Sequence, residues 1–171
     1  MSHLTHLYEP GMTYLLTSVT HRRQNLFANA EAAQIAFDDV AFYTRKFKAA
    51  TLAYVIMPDH IHWVITPSPE DFNCFAGEEP ARSGKYASDP ARFYLSKIME
   101  DYKRHVSFAV NKMQATPGAK LWQDGFRDDG LRTAAVIRRA VRYVLFNPVR
   151  AGLAARPEAY PYLAWDRAWL V

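Results

Sequence analysis

Two histidines separated by a single residue, His60-Ile61-His62, stand between the turn-forming pair Pro58-Asp59 and the strand-forming run Trp63-Val64-Ile65-Thr66. Side chains alternate faces along a strand, so His60 and His62 project from one side while Ile61 enters the opposite layer. Neutral imidazole is the commonest side-chain ligand for divalent metals, and two of them on a rigid strand leave positions open for substrate oxygens. The plain alternative is a half-exposed pair bonded to water or neighbours, and a bare His-x-His does not decide between the two. A second group lies in RRAVRYVLFNPVR. At about 100° per residue, Arg139, Tyr143 and Asn147 share one narrow stripe of a helix, while Ile137, Val141, Val144 and Leu145 gather on another face. Tyr143 and Asn147, four residues apart, are then placed to reach one ion or phosphate together. Here too a plain alternative exists, in which Tyr143 packs its ring on a sheet and Asn147 caps the helix before Pro148.

The elements that must position these residues follow from pattern. Met12 to Thr20 is rich in β-branched and aromatic residues after Pro10-Gly11, which predicts a first strand. Asn29 to Phe47 carries Ile35, Phe37, Val40, Ala41 and Tyr43 at helical spacing, with Asn29 as cap. Thr51 to Met57 and Ile61 to Thr66 flank Pro58-Asp59 and predict a hairpin whose second strand opens with the histidines. Residues 67–90 hold four prolines and two glycines, the composition of a surface loop. Ala91 to Met113 returns to helical spacing, and Thr116-Pro117-Gly118 ends it. LWQDGF is expected to supply a short fourth strand, and Thr133 to Phe146 a last helix that Pro148 keeps from continuing cleanly past Asn147. The tail, residues 153–171, reads as aromatic but irregular. The resulting order predicts a single domain with a ferredoxin-like (RRM-like) α+β sandwich, an antiparallel sheet with helices packed on one face.

Taken jointly, these blocks resemble a known family. The His60-Ile61-His62 strand, the Tyr-x-x-x-Asn-Pro helix running into Val149-Arg150-Ala151-Gly152, the intervening LWQDGFRDDGLRT and the opening TYLLTSVTHRRQNLF look like the single-tyrosine HUH transposases of the insertion sequence two-hundred-like group. The nearest branch by these motifs is the REP-associated tyrosine transposases. The resemblance runs from about Gly11 to Leu153, and the joint order of the blocks is far more specific than any one of them. It implies that His60 and His62 bind a divalent ion, Mg²⁺ or Mn²⁺, and that Tyr143 is the nucleophile. It also implies that Asn147 stands where the wider group often has a glutamine as third ligand. The implied reaction is cleavage of single-stranded DNA, at hairpin-forming repeats in the family's manner, through a 5′-phosphotyrosine that keeps the energy for strand transfer. Asp128, Asp129 and Arg132 match the block before the last helix, where structural roles are expected.

Bulk properties agree with a nucleic-acid partner without requiring one. The chain has 171 residues, 50% apolar and 14% aromatic, enough for one core, with 21 Lys+Arg against 17 Asp+Glu. One cysteine, Cys74, excludes an intrachain disulfide framework and a cysteine-rich zinc site. No run approaches the roughly 18 apolar residues of a membrane span, so a soluble, cytoplasmic protein, monomer or homodimer, is expected. Arg139, Arg142, Lys103, Arg104, Arg22 and Arg23 are the expected DNA contacts, Arg139 foremost because it shares the stripe of Tyr143 and offers a forked donor set. Solvated helix faces are the ordinary alternative for each. Two rival functions stand beside the transferase: a catalytically inactive module binding single-stranded nucleic acid on the same fold, and a metal-bound phosphoesterase that uses water.

Overall fold

A computed structural model of the protein describes residues 11–68 and 90–170. Most of the expected loop at 67–90 lies outside the described residues. The chain forms β1 (Thr13–Val19), α1 (Ala30–Lys46), β2 (Ala50–Met57), β3 (His60–Thr66), α2 (Pro90–Met113), β4 (Arg127–Leu131), α3 (Ala134–Arg150) and β5 (Leu163–Trp165). The strands make one antiparallel sheet in the order β4-β1-β3-β2-β5. The first four strands have the ferredoxin-like arrangement that the pattern predicts.

Strand alternation divides the chain between two cores. Tyr14 and Leu16 of β1, Tyr54 and Ile56 of β2, and Ile61, Trp63 and Ile65 of β3 face α1 and α2. The small residues Ala32, Ala33 and Ala36 let α1 approach the sheet closely, and Asn29 caps the helix, its Oδ1 accepting from Ala32 N at 3.0 Å. Leu95, Ile98, Met99, Tyr102, Val106 and Val110 of α2 are fully buried at helical spacing. The Tyr102 hydroxyl, inside this core, donates to the Ala36 carbonyl at 3.1 Å, so its polar end is satisfied. On the opposite face, Val55, Met57 and Val64 pack against Val141, Val144 and Leu145 of α3. Two helices thus cover one face, as expected, and the third covers the other.

Three local expectations need correction. LWQDGF is not a strand: Leu121 and Trp122 turn into the core, Trp122 makes a single bridge to Thr20, and Gly125 breaks the extended run at φ 70°. The fourth strand is instead Arg127–Leu131, whose sequence is poor in strand formers and which owes its conformation to pairing along β1. Next, α3 continues through Pro148 to Arg150. Proline removes one N–H and so one helical hydrogen bond, and the burial of the Pro148 ring offsets that loss. Lastly, the tail is not wholly irregular, because Leu163–Trp165 pairs with β2 as an edge strand while the Ile56 N–H donates to the Tyr162 carbonyl at 2.9 Å.

Candidate active site

The two halves of the site come from β3 and α3. Because His60 and His62 open β3 on the face away from Ile61, they point toward the layer that α3 occupies, and their ring centroids lie 4.8 Å apart. In α3, Thr133 caps the first turn, its hydroxyl accepting from Val136 N, and Ala140, Val141, Val144 and Leu145 seat the helix on the sheet. That anchoring turns Tyr143 to the edge of the interface, 42% exposed, with its hydroxyl 3.3 Å from His62 Nε2 and its ring centroid 5.1 Å from the imidazole. Both halves belong to the same chain.

Each imidazole is oriented through its other nitrogen. His60 Nδ1 lies 2.5 Å from Asp59 Oδ1. A carboxylate only accepts, so Nδ1 carries a proton, and in the neutral ring Nε2 is the atom with the lone pair. His62 Nδ1 lies 2.8 Å from the Thr17 hydroxyl, which β1 brings opposite it in register. With the proton on Nδ1, the Tyr143 hydroxyl donates to His62 Nε2 and both contacts are satisfied. Burial first, and then the charge of His60 whenever that ring is protonated and the charge of Arg150, push the His62 pKa down to about 3, so its ring is neutral at ordinary pH. Burial opposes ionisation of Asp59, but hydrogen bonds from His60 and Arg23 outweigh it and hold the carboxyl below its usual range.

Tyr143 is held from its other side by Arg150. This guanidinium donates to the Tyr143 carbonyl at 2.8 Å and lies 4.6 Å from the ring centroid. A cleft of about 410 Å³ opens beside the hydroxyl, lined by Thr17, His62, Arg127, Asp129, Arg139 and Tyr143 among others. Arg127 is tied to Asp129 at 3.0 Å. Asn147 lies one turn beyond Tyr143 on α3, half-buried. Among the described residues, no group of three His, Cys, Asp or Glu side chains is placed to hold an ion.

Of the expected DNA contacts, the structure brings only Arg139 into this cleft. Arg142, on the same helix, lies with its guanidinium 5.7 Å from the Phe146 ring centroid. Arg22 and Arg23 form the turn after β1, and Arg23 is bound to Asp59 at 3.0 Å. The other two sit on α2, in the layer across the sheet. Lys103 clips the approach to β4, donating to the Gln123 and Gly125 carbonyls at 2.9 and 2.6 Å, and burial lowers its pKa. Arg104 pairs with Asp101 at 2.6 Å. Sequence reasoning does not assign Thr17 or Asp59 to the site, and it takes Arg150 only as part of the motif that follows the tyrosine, not as a support for its ring. For Asp59 the signal is its adjacency to His60, and for Arg150 its place two turns after Tyr143. Thr17 has none short of strand register.

No family model matches the sequence, nor does any curated protein. Solved structures do match the fold. One, the REP-associated tyrosine transposase bound to a REP hairpin, is 19% identical, has a TM-score of 0.61, and is matched over 95% of this chain and 82% of its own. Another, a crystal structure of a candidate transposase from Deinococcus radiodurans R1, is 14% identical with a TM-score of 0.49, over 90% and 92% of the two chains. Among the described residues no helix is long and apolar enough to cross a membrane. The chain therefore carries the fold of the REP-associated tyrosine transposase.

Proposed function

We propose that the protein is a metal-dependent, single-stranded DNA endonuclease and strand transferase of the single-tyrosine HUH transposase type, with Tyr143 as nucleophile. The observation that carries this reading is the Tyr143 hydroxyl 3.3 Å from His62 Nε2 beside an open cleft. A tyrosine that only packs has no need to stand half-exposed with its hydroxyl directed at a paired imidazole. The hairpin bound by the structural relative supports a folded single strand as substrate.

The donor set fits a divalent ion. Asp59 and Thr17 engage the Nδ1 atoms, which leaves the Nε2 atoms of His60 and His62 for an ion, that of His62 exchanging its contact with the Tyr143 hydroxyl for the metal, and the low pKa of His62 keeps protons from competing. Asn147, water or substrate oxygens complete the set, and Mg²⁺ or Mn²⁺ suits such mixed oxygen and imidazole ligation. What the ion supplies when bound is positive charge against a non-bridging phosphate oxygen.

The remaining steps belong to the chain. A phenol with a pKa of about 10 is a weak nucleophile at neutral pH, so its oxygen needs both placement and charge nearby. Arg150 and the packing of α3 fix the ring, and Arg139 in the cleft offers a forked donor for the scissile phosphate. The Tyr143 oxygen bonds to phosphorus as its proton passes to water, and the phosphorus to O3′ bond breaks as O3′ takes a proton from water. One DNA end is left with a 3′-hydroxyl and the other joined through its 5′-phosphate to Tyr143. Attack by a 3′-hydroxyl on that linkage reverses the exchange and completes strand transfer, with no external energy source.

The test is a hairpin-flanked single-stranded oligonucleotide incubated with the protein and Mg²⁺ or Mn²⁺ and run on a denaturing gel. A covalent adduct is expected, and Tyr143→Phe should abolish it. An adduct that survives Tyr143→Phe sinks the nucleophile assignment. Cleavage with no adduct means that water attacks, and binding without cleavage under either metal means an inactive binding module.

A further inference from the structure

The turn after β1 and the turn of the β2–β3 hairpin are locked together at the site's edge. Both oxygens of Asp59 are engaged, Oδ1 with His60 Nδ1 at 2.5 Å and Oδ2 with Arg23 Nη1 at 3.0 Å. Its backbone carbonyl accepts from the Thr20 N–H at 2.8 Å and from the Thr20 hydroxyl at 2.9 Å, while Phe27 N–H donates to the Pro58 carbonyl at 2.9 Å. Arg22 and Arg23 both have φ 54°, a left-handed conformation that costs energy in a residue with a Cβ. Such strain persists only where the surroundings impose it, and here it accompanies the delivery of a guanidinium to Asp59. The two imidazoles are supported differently. His62 is buried and needs only the neutral Thr17 hydroxyl, whereas the more exposed His60 is held by a charged pair.

We propose that Arg23 and Asp59 are positioning residues for His60, a clamp that fixes the ring's rotation and its Nδ1–H tautomer, and that Arg23 serves this clamp instead of a DNA phosphate. The inference rests on the proposed metal-dependent reading of the site. The clamp makes Arg23 act through two other side chains: the guanidinium orients the carboxylate, the carboxylate orients the imidazole, and the imidazole is held beside the His62 ring, 4.8 Å between centroids. An outer partner of this kind is typically worth about 10–100-fold in metal affinity.

Two measurements on the full chain test this. Imidazole ¹⁵N shifts of the metal-free protein report the tautomer of His60, and Mn²⁺ titration calorimetry reports affinity. In the wild type His60 is expected as the Nδ1–H form, and in Asp59→Ala as a mixture, with Mn²⁺ bound about 10–100-fold more weakly. Arg23→Gln, at an exposed position and so expected to fold even if Asp59→Ala does not, should weaken Mn²⁺ binding in the same direction, and Arg23→Lys should restore most of it. Single-stranded DNA binding without metal, and its salt dependence, should be unchanged in Arg23→Gln. The clamp is overturned if the variants keep the wild-type tautomer and Mn²⁺ affinity. It is overturned equally if Arg23→Gln leaves both intact but lowers the slope of log affinity against log salt by about 0.7, the signature of one phosphate fewer neutralised. A wild-type chain with the expected tautomer that takes up no Mn²⁺ instead overturns the metal-dependent reading, a result distinct from either.

Discussion

The hydroxyl of Thr17 meets His62 Nδ1 because β1 and β3 pair in a register that sets residue 17 opposite residue 62. A slip of one residue would put Ser18 there and turn the histidines to the opposite face. Thr17→Val keeps the shape of the side chain and removes the acceptor, leaving a buried N–H unsatisfied. The expected result is a loss of about 10–100-fold in the single-turnover rate of adduct formation, with the adduct still on Tyr143. An unchanged rate in a quenched time course would remove Thr17 from the site. The histidines and Tyr143 are legible in the sequence because strand and helix periodicities state which side chains share a face. Thr17 is not, since its role depends on which strand lies alongside. Lys103 and Arg104 look like DNA contacts in the sequence, yet their charge does not reveal that one is already bound to two carbonyls and the other to Asp101.

At the scale of elements, α1 and α2 are cross-linked on their outer side by Asp101. This buried carboxylate accepts from Arg104 at 2.6 Å, Lys97 at 2.9 Å and Lys46 at 3.1 Å, joining the two helices through Lys46. Burial raises its pKa, but the hydrogen bonds from Lys97 and Lys46 outweigh that and leave it below the usual 3.8. A carboxyl whose folded pKa is depressed stabilises the fold above its unfolded pKa, and that contribution fades as pH falls through the folded value. Asp101→Asn should therefore cost about 2 kcal/mol near neutral pH, and urea denaturation should show the gap to wild type closing below about pH 4. The longer elements are readable from periodicity. The failures are at β4, β5 and Pro148, each a case where pairing or burial overrides local preference: RDDGL is extended because β1 lies beside it, and Pro148 stays helical because the sheet side of α3 encloses it.

Across the whole molecule, positive charge is concentrated on α3. Within Ala134–Arg150 there are four arginines and no acidic residue, against a net charge of +4 for the chain. Affinity for a single strand should fall with salt, and removing a side chain that neutralises one phosphate should reduce the slope of log affinity against log salt by about 0.7. Arg139→Ala is expected to do so by about that amount and to slow adduct formation, whereas Arg104→Ala, already paired to Asp101 in the layer across the sheet, should leave the slope alone. Fluorescence anisotropy over a salt series reads both. The separation of the two halves of the site has a further consequence. The hydrogen bond between Tyr143 and His62 spans 81 positions, with the tyrosine on the later element, α3. A chain still emerging from the ribosome thus exposes the paired imidazoles long before it has a nucleophile to set against them. On the proposed reading, no copy made only as far as α2 can nick a strand, and the timing of translation itself holds the chemistry back until the fold has closed.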